Sequence, residues 1–277
     1  MSKFGPLVSP EWLREHLDDK DLRVIDFRWY LTGQQGRDAY LRGHIPGAVF
    51  VDLDAVTGTG AGRHPLPTKQ QFQEEMRRAG VSSTTRVVAY DDAGGSTAAR
   101  LWFLLGWFGH RAQAVLDAGL QAWGEPVETT VPIVAPGNFK AKSPDRSRIL
   151  DFEQVQVLKT GSLLDARVGE RYRGEQEPID PKPGHIPGAV SAPWIENLDS
   201  EARFKAPKEL RRRFLELGVD EAEGAVVYCG SGVNACHDLL ALELAGLSNV
   251  RLYAGSWSDW SNRDAPVATG PDPGRKP

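Results

Sequence analysis

Two cysteines in 277 residues, at positions 229 and 236, are too few for a disulfide framework. No Cys/His cluster has zinc-ligand spacing, and Cys229 and Cys236 do not make a Cys-x-x-Cys redox pair. Charge of one sign is also missing. Lys and Arg number 33 against 37 Asp and Glu, a net charge of −4, and the basic runs Arg77-Arg78 and Arg211-Arg212-Arg213 are only long enough for a helix surface. That excludes the electrostatic footprint of a nucleic-acid binder. The longest apolar run, Leu101 to Phe108, is interrupted by Gly106 and is far too short to span a bilayer. The opening residues Met1 to Pro6 lack the apolar centre of a signal peptide, so the expected compartment is the reducing cytoplasm. What remains is a globular chain, 40% apolar and 25% charged, long enough for two ordinary domains or one large one.

The chain is written twice. Val24-Ile25-Asp26-Phe27-Arg28 returns as Leu163-Leu164-Asp165-Ala166-Arg167, and Gly43-His44-Ile45-Pro46-Gly47-Ala48-Val49 returns as Gly184-His185-Ile186-Pro187-Gly188-Ala189-Val190. Val87 to Asp91 matches Ala225 to Cys229, and Asp117 to Trp123 matches Ala254 to Trp260. The offsets are 139, 141, 138 and 137 residues, a steady repeat with small insertions. Four matches in one order establish a tandem duplication.

Each copy reads as strands separated by helices. Ser9 before Pro10 signals a helix start, and Asp151 with Gln154 spells a capping box. Short apolar strands are expected at 23–27 and 162–166, amphipathic helices at 69–79 and 207–217, and a helix from His237 to Ala245. Alternation of this kind implies parallel βαβ units and an α/β fold, whose sites lie beyond the carboxyl ends of the strands. The Pro-rich stretch 131–147 reads as a linker, and the tail from Gly270 to Pro277 is expected to be disordered.

The chemistry concentrates in Val226-Val227-Tyr228-Cys229-Gly230-Ser231-Gly232-Val233-Asn234-Ala235-Cys236. An apolar strand delivers a sulfur, glycines let successive backbone N–H groups turn inward, and a helix N-terminus follows. That is the layout of an anion cradle. A thiolate there is a soft nucleophile. A Cys-x5-Arg phosphatase loop would need arginine where the chain has Ala235. Cys236 reads as a small buried hydrophobe, and the tryptophans Trp29, Trp102, Trp107, Trp194, Trp257 and Trp260 as core and wall residues. His44 and His185 recur in both copies, as do Asp26 and Asp165, and read as structural groups.

Duplicated α/β domains, a His-Ile-Pro-Gly-Ala turn in each and Cys229-Gly230-Ser231-Gly232-Val233 in the second resemble the rhodanese-like sulfurtransferases over nearly the whole chain. The resemblance implies tandem domains, each a central mostly parallel sheet flanked by helices: 1–130 inactive, 131–148 a linker, 149–277 catalytic. Asp91 stands where the first copy would carry its cysteine, so that half is expected to be structural. The resemblance also implies a persulfide on Cys229, with no cofactor and no metal. The loop, including Gly230, Gly232, Val233 and Asn234, resembles that of the 3-mercaptopyruvate enzymes, with Asn234 in place of a threonine. Arg171, before Tyr172, matches the arginine that binds the anionic donor. A second arginine, usual in a Glu-Pro-Arg-Asp sequence, is Ile179 here, which leaves room for thiosulfate as donor; Lys182 is the candidate substitute. Ser231, His64 and Asp54 match a proposed proton relay. The expected acceptor is a thiol, cyanide or a thioredoxin-like protein. Arg171 has a structural rival role, an ion pair with Glu170 or Glu175, and His64 could be merely solvated in its Gly-rich loop. The rival functions are a thiosulfate sulfurtransferase and, from another class, a non-catalytic interaction module of the same fold; intact Cys229 and Arg171 argue against the second.

Overall fold

The strands form where the two apolar patterns recur. The computed structural model describes residues 4–275. In the first copy β1 is Leu7–Val8, β2 Leu22–Asp26, β3 Val49–Phe50, β4 Arg86–Tyr90 and β5 Gln113–Leu116; in the second β6 is Ile149–Leu150, β7 Ser162–Asp165, β8 Ala189–Ser191, β9 Ala225–Tyr228 and β10 Val250–Tyr253. Each copy builds one five-stranded sheet, in the orders β1-β5-β4-β2-β3 and β6-β10-β9-β7-β8. Every pairing is parallel, and corresponding strands take corresponding places. Parallel strands need crossovers, which is why helices alternate with them. The duplication seen in sequence is thus a duplication of topology.

Two compact units result, and neither is a continuous stretch. Among the described residues, the first comprises 4–58, 67–145 and 200–203; the second 59–66, 146–199 and 204–275. The loop after the first His-Ile-Pro-Gly turn, Thr59–Leu66, therefore belongs to the second unit.

Helix character follows composition. The longest apolar run becomes most of the helix Ala98–Trp107, which is buried at every position, Arg100 included. The helices Lys69–Arg78 and Pro207–Glu216 bury one stripe only, Phe72 and Met76 in the first and Leu210 and Phe214 in the second, at i, i+4 spacing. Ser9 caps the helix Pro10–His16 by accepting from Trp12 N at 3.2 Å. Asp151 and Gln154 form the capping box with bonds of 2.9 and 3.0 Å.

The recurring residues explain why each copy closes the same way. Arg28 forks onto Asp26 and donates to Gly43 O at 2.7 Å; Arg167 forks onto Asp165 and donates to Gly184 O at 2.6 Å. His44 and His185 each place Nδ1 2.8 Å from a tyrosine carbonyl, of Tyr40 and Tyr172, and stack on that ring. Tyr90 and Tyr228 each accept from the backbone N–H of the turn isoleucine at 3.1 Å.

Two loop expectations are revised. Residues 131–145 form no helix or strand, yet Phe139 and Ala141 are buried and Phe139 N donates to Val81 O, so the Pro-rich stretch packs onto the first unit. The tail expected to be disordered is tied down as far as it is described. Gly270 N donates to Arg173 O, Asp272 O lies 3.2 Å from His185 Nε2, and Gly188 N donates to Pro273 O. Low hydrophobicity hid these bonds because they run through backbone carbonyls. Positions 276 and 277 of that expectation lie outside the described residues. Among the described residues no helix is long and apolar enough to cross a membrane.

Candidate active site

Cys229 directly follows β9, the central strand of the second sheet, whose four residues are all buried. Its surroundings are built by the helix Ser256–Trp260. Cys229 N donates to Ser256 Oγ at 3.1 Å, while Trp257 N and Ser258 N donate to the carbonyls of Cys229 and Gly230, each at 2.9 Å. Two loop carbonyls are thereby tied to the helix start, and a loop N–H faces the sulfur. Gly232 N donates to Cys229 Sγ at 3.2 Å. Gly232 can do so because its φ is +79° and because an added Cβ would lie 2.6 Å from Ala254 O. Val233 is buried, Asn234 half-buried at the head of the helix Ala235–Leu244, which begins two residues before its expected start. Cys236 is fully buried and donates from Sγ to Gly232 O at 3.3 Å.

The first copy shows what such a loop holds. Asp91, in the place of Cys229, turns its carboxylate back into its own loop. It accepts backbone N–H bonds from Ala93, Gly95, Thr97 and Ala98 at 2.7–2.9 Å, and a hydroxyl bond from Thr97 at 3.1 Å. The loop is an anion nest already filled by its own side chain. The sequence predicted an inert first copy, not that its carboxylate would be the bound anion.

Ser231 and His64 meet. Ser231 Oγ is 2.8 Å from His64 Nδ1, and both residues are only 7% exposed. His64 is therefore not a solvated loop histidine. Its strap is anchored one residue earlier, where Arg63 N donates to Ser258 Oγ at 3.0 Å; an added Cβ on Gly62 would lie 2.7 Å from Gly255 O. Asp54 heads the short turn Asp54–Val56 of the first unit, is exposed, and donates from its backbone N to Asp52 Oδ1.

Arg171 is held by carboxylates further along the chain than its sequence neighbours. Its Nη2 lies 2.7 Å from Glu177 Oε1 and 3.0 Å from Asp180 Oδ2, whereas Glu170 and Glu175 pair with Arg173. Lys182, the candidate substitute for a second donor-binding arginine, is committed elsewhere: its Nζ donates to Arg263 O at 2.6 Å. A second cation that reaches the loop, beside Arg171, is Arg63, which sequence reasoning passed over as the end of a Gly-rich stretch. Arg63 Nη1 is paired with Asp180 Oδ1. Burial pushes the Asp180 carboxyl above its ordinary value, and the Arg63 guanidinium opposes that shift. Arg63, Glu177, Ile179 and Asp180 line a cavity of about 710 Å³. The one available signal for Arg63 was its adjacency to His64. Among the described residues no group of His, Cys, Asp and Glu could hold a metal ion.

Comparison with known proteins identifies the family. The rhodanese-like domain profile matches residues 9–126 and 149–263. A probable 3-mercaptopyruvate sulfurtransferase of Pseudomonas aeruginosa is 44% identical over 95% of this chain and 98% of its own length. A putative thiosulfate sulfurtransferase, SseB, of Mycobacterium tuberculosis is 39% identical over 86% of this chain and 87% of its own. The crystal structure of SseA from Escherichia coli, described as a rhodanese-fold 3-mercaptopyruvate enzyme, superposes with a TM-score of 0.82 at 33% identity, covering 91% of this chain and 98% of that one. Two matched domains and relatives spanning nearly the full length place the chain among the two-domain rhodanese-like sulfurtransferases, and it is a member of that family.

Proposed function

We propose that the chain moves a sulfur atom from 3-mercaptopyruvate to a thiol, cyanide or a thioredoxin-like protein through a persulfide on Cys229, in a reducing compartment such as the cytoplasm. The observation that carries this reading is the buried Cys229 Sγ accepting a loop N–H beside a Ser231–His64 hydrogen bond. On this reading 149–277 carries the chemistry, 1–130 is a non-catalytic partner and 131–148 joins them.

The thiolate of Cys229 attacks the donor sulfur. A sulfur–sulfur bond forms, the donor's carbon–sulfur bond breaks, and its electron pair leaves with pyruvate as the enolate. That carbanionic fragment needs a proton, which Ser231 passes on with His64 behind it; Asp54 is the proposed third member. The persulfide anion left on Cys229 is stabilised by the loop amides, since positions 229–236 include no lysine or arginine. An acceptor thiolate then attacks the outer sulfur and frees Cys229. Arg171 binds the donor's anionic end by forked hydrogen bonds.

Thiosulfate is the second donor to consider, because Ile179 replaces the second arginine expected of the mercaptopyruvate enzymes and the M. tuberculosis relative bears a thiosulfate name. Its leaving group, sulfite, needs no proton and makes no use of Ser231 and His64. Steady-state kinetics with both donors on the purified chain separate the readings. A higher kcat/KM for 3-mercaptopyruvate is expected; turnover of thiosulfate alone would move the assignment, and turnover of neither would end it.

A further inference from the structure

We infer that Arg63 is a donor-binding and specificity-determining residue, delivered to the Cys229 loop by the strap Thr59–Leu66. The inference rests on the sulfurtransferase reading above and assigns a part of it to a residue outside the catalytic repeat. Gly230, the residue after the nucleophile, is the starting point. Its φ is not in the left-handed region, so backbone conformation does not explain the glycine. Space does. A Cβ on Gly230 would lie 2.9 Å from Arg63 Nη2 and 3.2 Å from Arg171 Nη1. Two guanidinium groups from distant parts of the sequence reach the same point beside the sulfur-bearing residue.

Both are aimed by one carboxylate. Asp180 Oδ1 pairs with Arg63 Nη1 and Asp180 Oδ2 with Arg171 Nη2 at 3.0 Å, so a buried aspartate bridges the forks. Asp180 engages Nη1 of Arg63 and leaves Nη2 beside Gly230; Arg63 Nε has no hydrogen-bond partner among the described residues. The Arg63 side chain is 28% exposed and lies on the wall of the cavity of about 710 Å³, so it links solvent to the loop. Arg63 and Arg171 face Asp180 and Glu177, two cations against two carboxylates. The attraction for a donor is therefore directed N–H donation, not a bulk positive field. A planar carboxylate bonded directly to a ketone carbon fits that arrangement, because adjacent guanidinium donors can hold it from two sides. The loop itself carries no cation, and the strap brings one beside Gly230 to join Arg171. Asp180 is then a positioning residue for the clamp.

The test compares 3-mercaptopyruvate with mercaptoacetone, the same mercapto ketone without its carboxylate, in wild type, Arg63→Ala and Arg63→Lys. Arg63→Ala is expected to raise KM for 3-mercaptopyruvate about tenfold to a hundredfold, the scale of a lost charge-assisted hydrogen bond, with kcat much less affected. Its effect on persulfide formation from mercaptoacetone is expected to be smaller by at least about tenfold. Arg63→Lys restores charge without the fork and is expected to recover KM in part; it also serves if Arg63→Ala does not fold. Equal losses on both donors would mean that Arg63 only supports the loop, and an unchanged KM for 3-mercaptopyruvate would overturn the inference outright. A wild-type protein that forms no persulfide from 3-mercaptopyruvate would instead remove the functional reading on which the inference rests.

Discussion

At the scale of residues, the 2.8 Å contact between the buried Ser231 Oγ and His64 Nδ1 makes the two donors chemically unequal on the proposed mechanism. A pyruvate enolate must be protonated as it departs; sulfite need not be. His64→Ala is therefore expected to lower kcat with 3-mercaptopyruvate by about a hundredfold, the low end of general acid–base contributions, and to leave thiosulfate turnover much less changed. Paired kinetics on the variant decide it, and equal losses would contradict the relay. Legibility at this scale depended on whether partners are near in sequence. The Cys229 loop could be read as a contiguous string of strand end, glycines and helix start. Arg63 could not, because its partner Asp180 lies 117 positions away and nothing in a Gly-rich loop announces a side chain that reaches so distant a part of the sequence. The partners of Arg171 were misjudged for a related reason. Its helix, Gly169–Arg173, is only five residues long and ends at Gly174 in the left-handed conformation, so the chain turns and brings Glu177 and Asp180 back onto the guanidinium.

At the scale of elements, the strand-end loop turns backbone N–H donation onto the side chain at the strand end in both copies. In the first, the Asp91 carboxylate gathers four backbone N–H groups and a hydroxyl; in the second, a sulfur stands at the same place in the topology. Removing the charge of Asp91 leaves buried donors poorly satisfied. Asp91→Asn is expected to destabilise the chain by about 2–4 kcal/mol, an amount set by charge-assisted bonds lost in a buried site. Denaturant unfolding monitored by circular dichroism measures it, and an unchanged midpoint would contradict the nest. That the first copy lacks the sulfur was legible in the sequence. Its self-filled nest was not, since a strand-end aspartate reads equally well as an ordinary turn residue. Boundaries of the main elements moved by only one or two residues from expectation, because apolar period and capping residues mark them locally. Loops held by backbone carbonyls, such as the tail from Gly270 to Pro273, carry no such mark.

At the scale of the whole molecule, the duplication carried most of the legible information. Four ordered matches predicted two parallel α/β units, and the sheets take the same strand order in both. What repeats could not convey is that the compact units are discontinuous, with Thr59–Leu66 taken into the second and Ser200–Arg203 into the first. That detail places His64 beside Ser231 and Arg63 beside Gly230. The account as a whole stands on Cys229 accepting sulfur. Mass spectrometry of the intact chain after brief exposure to 3-mercaptopyruvate, followed by peptide mapping, tests this most directly. The account predicts a gain of one sulfur atom per chain, located on the Cys229 peptide, reversed by a thiol acceptor and absent from Cys229→Ser. Sulfur carried by Cys236 instead, or a Cys229→Ser chain that still takes it up, would contradict it.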